Sequence, residues 1–272
     1  MNRREFCGLG LFIPLFGMNL EPEKKKPIKN EVSVGDELSY EMTFPDPDQG
    51  FVEFSKDIML NCPMLGRIPY TILPDHKVLL NDYENHRFVI FKKYRQGGFT
   101  TFNLIYAIWK AATEWDRHIM FVTKYDREAL MLGHIVKRME LGDMVRKHTN
   151  HETRFVTGSV INYQNSQASR GKAADHIFID EAAYIDNMSD CWKCLYPMLS
   201  CGAKCVVYST PNGTDNWFYE IYKMACAKTN EFHVSPTHYL HHPIYKTEAK
   251  RTFFKENLGL KSYLREVKAE FI

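Results

Sequence analysis

An apolar run followed by paired glycines is the feature of this sequence that most restricts its fold. Residues 88–101 read FVIFKKYRQGGFTT, in which the apolar run passes through a polar segment into the two glycines. This pattern predicts a buried strand, a tight turn and the start of a helix. Consecutive glycines let backbone N–H groups approach an anion closely, and a helix start carries the positive end of the helix dipole. The stretch therefore has the layout of a loop that cradles phosphate.

The loop lacks the lysine that such loops usually carry. The common pattern G-x-x-x-x-G-K-[ST] has a lysine directly after its last glycine, whereas here Gly98 is followed by Phe99 and Thr100. Loss of that lysine removes a charge-assisted contact of about 1.5–3 kcal/mol, so a working nucleotide site needs another cation. Arg95 is our first candidate and Lys93 our second. The loop alone leaves open the alternative that the glycines form only a strand-to-helix turn.

A second motif lies downstream, at the end of another predicted strand. Residues 176–184 read HIFIDEAAY, a short apolar run that ends in the adjacent carboxylates Asp180 and Glu181. The strand end is expected to bring Asp180 close to a Mg²⁺ held by the hydroxyl of Thr100. Glu181 is then the candidate base for the attacking water. The alternative is an aspartate that caps a helix beside a solvent-facing glutamate, but the two motifs together favour a nucleotide site.

A third motif follows the next predicted strand. Residues 206–213 read VVYSTPNG, so that Ser209 and Thr210 stand at the end of an apolar run. Small hydroxyl side chains in this position could sense the terminal phosphate and relay hydrolysis to the rest of the domain. The alternative is a simple Pro-Asn-Gly turn.

The remaining pattern predicts one α/β domain. From residue 51 onward, apolar strand-like runs alternate with helix-length amphipathic runs, which is typical of a mainly parallel sheet. Residues 154–163 contain a Thr-Gly-Ser turn and predict a hairpin. Residues 1–50 are predicted to be an arm or linker and residues 51–272 the domain. Strands are predicted at 88–91, 119–123, 177–179 and 205–208, and helices at about 100–115, 126–141, 188–200 and 216–226.

The net charge and the cysteines give little sign of other functions. The formal charge is only +2, so no overall field favours nucleic acid or membrane. Seven scattered cysteines suit reduced thiols better than a disulfide framework. Cys191, Cys194, Cys201 and Cys205 resemble a zinc pattern, but the gap between the pairs is short and the last lies in a strand-like run. We expect His238, His241 and His242 to lie in a surface loop.

The amino-terminal residues have a pattern of their own. Residues 3–17 begin with two arginines and continue into a short apolar run, which resembles a twin-arginine export signal. No small-residue cleavage site follows it, and the run is far short of the roughly 20 residues that span a bilayer. We therefore predict an ordered arm or a docking segment without a membrane partner, with export as the less favoured alternative.

The order of these motifs resembles one family, the large terminase subunit that packages DNA into viral capsids. Its deviant Walker A loop, Arg-Gln-x-Gly-x-Thr/Ser-Thr, is matched by residues 95–101. Its Walker B form is matched by residues 176–181, and its Ser-Thr-Pro-Asn-Gly coupling motif by residues 209–213. Ser169, Arg170 and Gly171 echo a further family segment before Walker B. The resemblance covers most of residues 51–272.

The resemblance implies a RecA-like P-loop NTPase of the ASCE class, with a mainly parallel central sheet flanked by helices. It implies Mg²⁺-dependent ATP hydrolysis that moves double-stranded DNA into a procapsid. Arg95 would bind phosphate and act in catalysis, Thr100 and Asp180 would hold Mg²⁺, and Glu181 would activate water. Ser209 and Thr210 would couple hydrolysis to movement. The residues expected to contact the nucleotide are Tyr70, His76, Lys93, Arg95, Gln96, Gly97, Gly98, Phe99, Thr100 and Thr101.

The resemblance also implies an assembly. We expect a homo-oligomeric ring in the host cytoplasm, with the portal and the small terminase subunit as partners and an arginine from a neighbouring subunit at each site. Arg138, Arg146 and Arg170 are the candidates for that arginine. Large terminases carry a nuclease after the ATPase half. Residues 263–271 look like the helix that ends that half, so no nuclease activity is expected from this chain, and the nuclease is expected elsewhere.

A departure from the family upstream of the loop keeps other interpretations open. Members usually have a glutamine upstream of the loop that reads adenine, whereas His76 stands at that position here, with Tyr70 as an alternative stacking group. His76 could instead be a buried histidine that satisfies loop carbonyls. A helicase-like ATPase and a degenerate scaffold module that has lost catalysis are the competing functions.

Overall fold

The described part of the chain is built around one large sheet with helices on both faces. The computed structural model describes residues 50–62, 65–168 and 173–272, so nearly all of the predicted arm, residues 1–49, lies outside it. In chain order the elements are α1 (Phe51–Lys56), β1 (Met59–Cys62), β2 (Gly66–Pro69), α2 (Pro74–Asn85), β3 (Phe88–Lys92), α3 (Phe99–Thr113), β4 (His118–Thr123), α4 (Asp126–Arg138), β5 (Val145–His148), β6 (Glu152–Phe155), β7 (Val160–Asn165), β8 (His176–Asp180), α5 (Met188–Ser200), β9 (Lys204–Ser209), α6 (Trp217–Cys226), β10 (His233–Val234), α7 (Glu248–Leu258) and α8 (Leu260–Glu266).

The large sheet is mainly parallel, as predicted. Among the described residues its strand order is β10-β3-β9-β8-β4-β7-β6-β5, and β1 and β2 form a separate antiparallel pair. Strands β10 to β7 in this order pair in parallel, while β6 and β5 continue the sheet as antiparallel strands. The predicted hairpin is confirmed as β6 and β7.

The sheet register brings the three sequence motifs to one edge. Strand β9 lies between β3 and β8, with Lys92 opposite Ser209 and Asp180 opposite Tyr208. Because the strands are parallel, their carboxyl ends meet at the same edge, where ligands of open α/β sheets bind. The loop, the carboxylate pair and the hydroxyl pair therefore become neighbours.

Side chains that alternate along the strands fill two cores, one on each face of the sheet. In β3, Val89 and Phe91 belong to one core, whereas Phe88 and Ile90 belong to the other. Such continuous apolar strands are expected when helices cover both faces. Helix α3 is buried along almost its whole length in the first core, which accounts for its weak amphipathic pattern.

The predicted elements agree with the structure, with small differences at their ends. Helix α3 ends at Thr113 and α4 at Arg138, each a few residues earlier than predicted. The helix predicted over residues 263–271 is wrong in extent, because α8 ends at Glu266 and Ala269 adopts a positive φ of 54°. Cys205 is fully buried in β9, as its apolar surroundings predicted. Within the described ranges, none of the helices is both long and apolar enough to cross a bilayer.

Candidate active site

The loop between β3 and α3 turns through two left-handed residues. Gln96 has φ 61° and Gly98 has φ 70°, and Gly98 stands at the N-cap of α3. A Cβ at Gly97 would lie 2.3 Å from the Phe99 ring and 2.7 Å from the Tyr94 ring, so only glycine fits there. The paired glycines are therefore required by the close packing of the loop as well as by its backbone conformation.

Phe99 occupies the position of the missing lysine, and its side chain is part of the core. It is 2% exposed and packs against the rings of Tyr94, Phe91 and His76, with centroids 5.0, 5.4 and 5.6 Å away. A cation could not occupy this pocket without losing its hydration. The phosphate-binding charge therefore has to come from another position.

His76 is a buried residue that makes a hydrogen bond to the loop backbone. It is 1% exposed, and its Nε2 lies 2.9 Å from the carbonyl oxygen of Gly97. Because a carbonyl oxygen only accepts, Nε2 carries the proton, and Nδ1 then accepts from the hydroxyl of Tyr70 at 2.8 Å. Burial lowers the pKa of His76 to about 3. This neutral, buried histidine matches the alternative in which His76 satisfies a loop carbonyl.

Lys93 reaches the carboxylate pair at the end of β8. Its Nζ lies 2.6 Å from Asp180 Oδ1 and 3.0 Å from Glu181 Oε1, and the residue is 8% exposed. Burial alone would lower the pKa of Lys93, but the two facing carboxylates outweigh it and raise the pKa above its ordinary value. Lys93 is therefore a charged group held at the centre of the site.

Thr100, in the first turn of α3, contacts the Asp180 carboxylate. Its Oγ1 donates to Asp180 Oδ2 at 2.8 Å, which brings together the two groups that the sequence assigned to Mg²⁺. A hydroxyl and a carboxylate are both hard oxygen ligands, the type that Mg²⁺ prefers. The residues present fit that ion. The next residue, Thr101, is buried in the helix start.

Glu181 connects the carboxylate pair to the end of β9. It adopts a left-handed conformation with φ 52°, which is uncommon for a non-glycine residue. Its Oε2 accepts from the backbone N–H of Thr210 at 3.1 Å and lies 3.2 Å from Ser209 Oγ. Ser209 also accepts from the backbone N–H of Ala183 at 3.1 Å. The three motifs thus form one hydrogen-bonded unit.

Arg95, our first candidate for the phosphate-binding cation, faces a different partner. Its Nε lies 2.5 Å from Glu266 Oε2, and its backbone N–H donates to the carbonyl oxygen of Glu266 at 2.7 Å. Tyr245 donates its hydroxyl to the Arg95 carbonyl at 2.8 Å. Burial would lower the pKa of Arg95, but the Glu266 carboxylate outweighs it and raises that pKa. Local sequence carried no signal for Glu266 or Tyr245, because both lie far along the chain.

A family model supports the resemblance seen in the motifs. The model described as "Terminase large subunit, T4likevirus-type, N-terminal" matches residues 143–256, a range that contains the carboxylate pair and the Ser209–Thr210 motif. The resemblance to the terminase large subunit is confirmed.

Solved terminase structures share the fold. The ATPase domain of the Thermus phage P74-26 large terminase, in a mutant form, has 16% identity and a TM-score of 0.58 over 75% of this chain and 95% of that one. The bacteriophage HK97 large terminase has 11% identity and a TM-score of 0.66 over 81% of this chain and 54% of that one. A thermophilic bacteriophage large terminase in complex with ATP-γ-S has 15% identity and a TM-score of 0.57, over 72% of this chain and 52% of that one. The chain therefore spans about half of those longer terminases.

Two of the three candidates for an arginine that acts between subunits lie in the described part of the chain. Arg138 ends α4, and Arg146 lies in the edge strand β5; both are exposed. An arginine that acts at the site of a neighbouring subunit has to be exposed, as these two are. The third candidate, Arg170, lies outside the described residues.

Proposed function

We propose that this chain is the ATPase domain of a DNA-packaging motor and that it hydrolyses ATP at the loop, the carboxylate pair and the hydroxyl pair. The observation that carries the proposal is the meeting of Thr100, Asp180, Glu181 and Lys93 at one sheet edge. The match of residues 143–256 to terminase large subunits supports the packaging role.

The loop and the start of α3 bind the phosphates. Backbone N–H groups at a helix start are directed at an anion, and the helix dipole favours negative charge there. Thr100 and Asp180 would hold Mg²⁺, which when bound neutralises charge on the phosphates. The present hydrogen bond between these two residues keeps their oxygens adjacent.

Glu181 accepts the proton of the attacking water. The water oxygen forms a bond to the terminal phosphorus, the bond from that phosphorus to the bridging oxygen breaks, and ADP and phosphate leave. The contacts with Thr210 and Ser209 hold the Glu181 carboxylate at the end of β9. Since the same contacts join it to the coupling motif, a change at the phosphate reaches Ser209 and Thr210 directly.

Lys93 is the cation that the geometry favours for the missing lysine's role. Its side chain is only 11% exposed and lies between the proposed metal ligand and the proposed base. The Arg95 side chain is 59% exposed and is paired with Glu266. Phosphate binding by Arg95 remains a proposal, and it requires that the ion pair between Arg95 and Glu266 breaks. We further propose that Tyr70 and His76 support the loop and do not contact adenine.

The assembly remains a proposal drawn from the family. Double-stranded DNA, the portal, the small terminase subunit and a ring of copies of this chain are the proposed partners, and the host cytoplasm is the proposed location. The absence of nuclease activity stays a prediction.

The test is ATP hydrolysis by the purified chain with and without Mg²⁺, followed by DNA packaging with procapsids and portal. We expect Mg²⁺-dependent release of phosphate and uptake of double-stranded DNA. Strand separation without packaging would favour the helicase alternative. A chain that binds no nucleotide at millimolar ATP with Mg²⁺ would favour the scaffold alternative.

A further inference from the structure

Two histidines and an aspartate meet at the β10 edge of the sheet, in residues that the packaging chemistry does not use. Asp82 lies in the last turn of α2. His86 follows the helix directly, and its backbone N–H donates to the Asp82 carbonyl oxygen at 2.8 Å. His233 lies in β10, whose neighbour β3 leads into the loop. One ligand atom from each of the three side chains lies within 4.8 Å of the other two.

The aspartate is buried and has an unused acceptor. Asp82 is 6% exposed, and within the described part of the chain its Oδ2 accepts no hydrogen bond. His233 Nε2 is 3.3 Å from this oxygen. A buried carboxylate oxygen without a donor is costly, and such groups in proteins are usually paired or bound to a metal. Asp82 Oδ2 therefore faces an imidazole nitrogen without a hydrogen bond to it, an arrangement that a cation between the two atoms would satisfy.

The two imidazoles are arranged side by side next to this oxygen. The rings of His86 and His233 stack with centroids 3.8 Å apart and planes 3° from parallel. Both residues are partly exposed, so an ion can enter from solvent. Neutral imidazole is the commonest metal ligand in proteins. The cluster therefore combines two nitrogen ligands and one oxygen ligand with an open approach.

We propose that Asp82, His86 and His233 bind one divalent transition-metal ion of the zinc class. Two imidazoles and a carboxylate suit zinc, whereas Mg²⁺ prefers oxygen ligands alone. Ligand nitrogens at 2.0–2.1 Å from zinc lie roughly 3.3 Å apart in a tetrahedral site. Because the lone pair of each nitrogen lies in its ring plane, both rings have to turn out of their parallel stack to face one ion. The bound ion joins the end of α2 to β10, and a water completes the coordination.

The first test is calorimetric titration of the metal-free full chain with zinc chloride, without nucleotide. We expect one zinc ion per chain, and a dissociation constant at least about tenfold higher in His233→Gln and in His86→Gln. His238→Gln is the matched control, because this exposed histidine follows β10 in the chain, lies outside the cluster and should leave binding unchanged. A wild-type chain that binds no zinc overturns the proposal, as does unchanged affinity in both ligand variants.

The second test needs no variant and therefore does not depend on how the variants fold. The wild-type chain is loaded with Co²⁺, and its absorption spectrum is recorded with and without excess Mg²⁺. We expect a Co²⁺ spectrum of nitrogen and oxygen ligands that persists in Mg²⁺. Thiolate-to-cobalt absorption would show that cysteines bind the ion instead, and displacement by Mg²⁺ would show a site of oxygen ligands only. Either result overturns the proposal.

Discussion

Lys93 Nζ lies 2.6 Å from Asp180 Oδ1, so the residue that follows β3 is tied directly to the end of β8. The pair spans β9, the strand between them. A cation at the start of the loop thus lies against the carboxylate pair, and we propose that it takes the role of the missing lysine. This relationship changes which residue we expect to replace the missing lysine.

Replacing Lys93 with methionine should reduce ATP turnover more than replacing Arg95 with alanine. Loss of a charge-assisted contact of about 1.5–3 kcal/mol corresponds to a roughly ten- to hundredfold loss in kcat/KM. Steady-state phosphate release measures it. Lys92→Met is the matched control, because Lys92 contacts the rings of Tyr222 and Phe271 instead of the carboxylates.

A larger loss of turnover in Arg95→Ala than in Lys93→Met would instead support Arg95 as the phosphate-binding residue. Lys93→Met also leaves the buried Asp180 carboxylate without its cation, which can destabilise the fold by about 3–5 kcal/mol. Unfolding in urea should therefore be measured beside turnover, and the kinetic comparison made at temperatures where both variants are folded.

Glu181→Gln should abolish hydrolysis and leave nucleotide binding nearly intact. The amide cannot accept the proton of water, and a general base contributes about 10²–10⁴ in rate. Binding of a fluorescent ATP analogue and phosphate release separate the two effects. Asp186→Asn is the control, because Asp186 is a nearby carboxylate whose side chain is 80% exposed and pairs with Lys124. Turnover within a few-fold of wild type in Glu181→Gln would remove Glu181 as the base.

Phe99→Lys should destabilise the chain and fail to restore an ordinary loop. The Phe99 ring is packed among Tyr94, Phe91 and His76, and loss of a buried phenylalanine costs about 3–5 kcal/mol. The buried ammonium adds to this cost. The free energy of unfolding in urea is the measurement. Phe253→Ala, at a phenylalanine that is 59% exposed, should cost less than about 1 kcal/mol. A stable Phe99→Lys chain with raised turnover would contradict the packing argument.

His76→Gln should weaken the dependence of stability on acid. The pKa of His76 is lowered to about 3 in the folded chain, from an ordinary value of 6.5. Between these values the unfolded chain binds a proton that the folded chain does not, so stability falls as pH falls through this window. One such group contributes up to about 1.4 kcal/mol per pH unit.

The measurement is the free energy of unfolding of both chains at several pH values between about 4 and 6.5. The variant should have the smaller slope, and its stability above this window provides the reference. His176 and His242, whose pKa values burial lowers to about 4, keep part of the slope in both chains. Equal slopes would show that folding does not lower the pKa of His76.

Local patterns in the sequence were enough to predict the elements that build the site. The apolar runs before Lys92 and before Glu181 predicted β3 and β8, and the glycines predicted the turn into α3. These signals are local, since they rest on side-chain periodicity and on the conformational freedom of glycine. The proximity of Thr100 and Asp180 was also predicted from the sequence, because the carboxyl ends of parallel strands lie at one edge of a sheet.

The choice of cation, in contrast, depended on the tertiary structure. Lys93 and Arg95 are two residues apart and carry the same charge, so the sequence left both open. Their partners distinguish them and are the basis of our proposal: Lys93 contacts Asp180 and Arg95 contacts Glu266, 87 and 171 residues along the chain. The packing of Phe99 likewise became visible only in the core. The lysine missing from the loop was evident from the sequence alone, but our proposal that Lys93 replaces it rests on long-range contacts that no local pattern records.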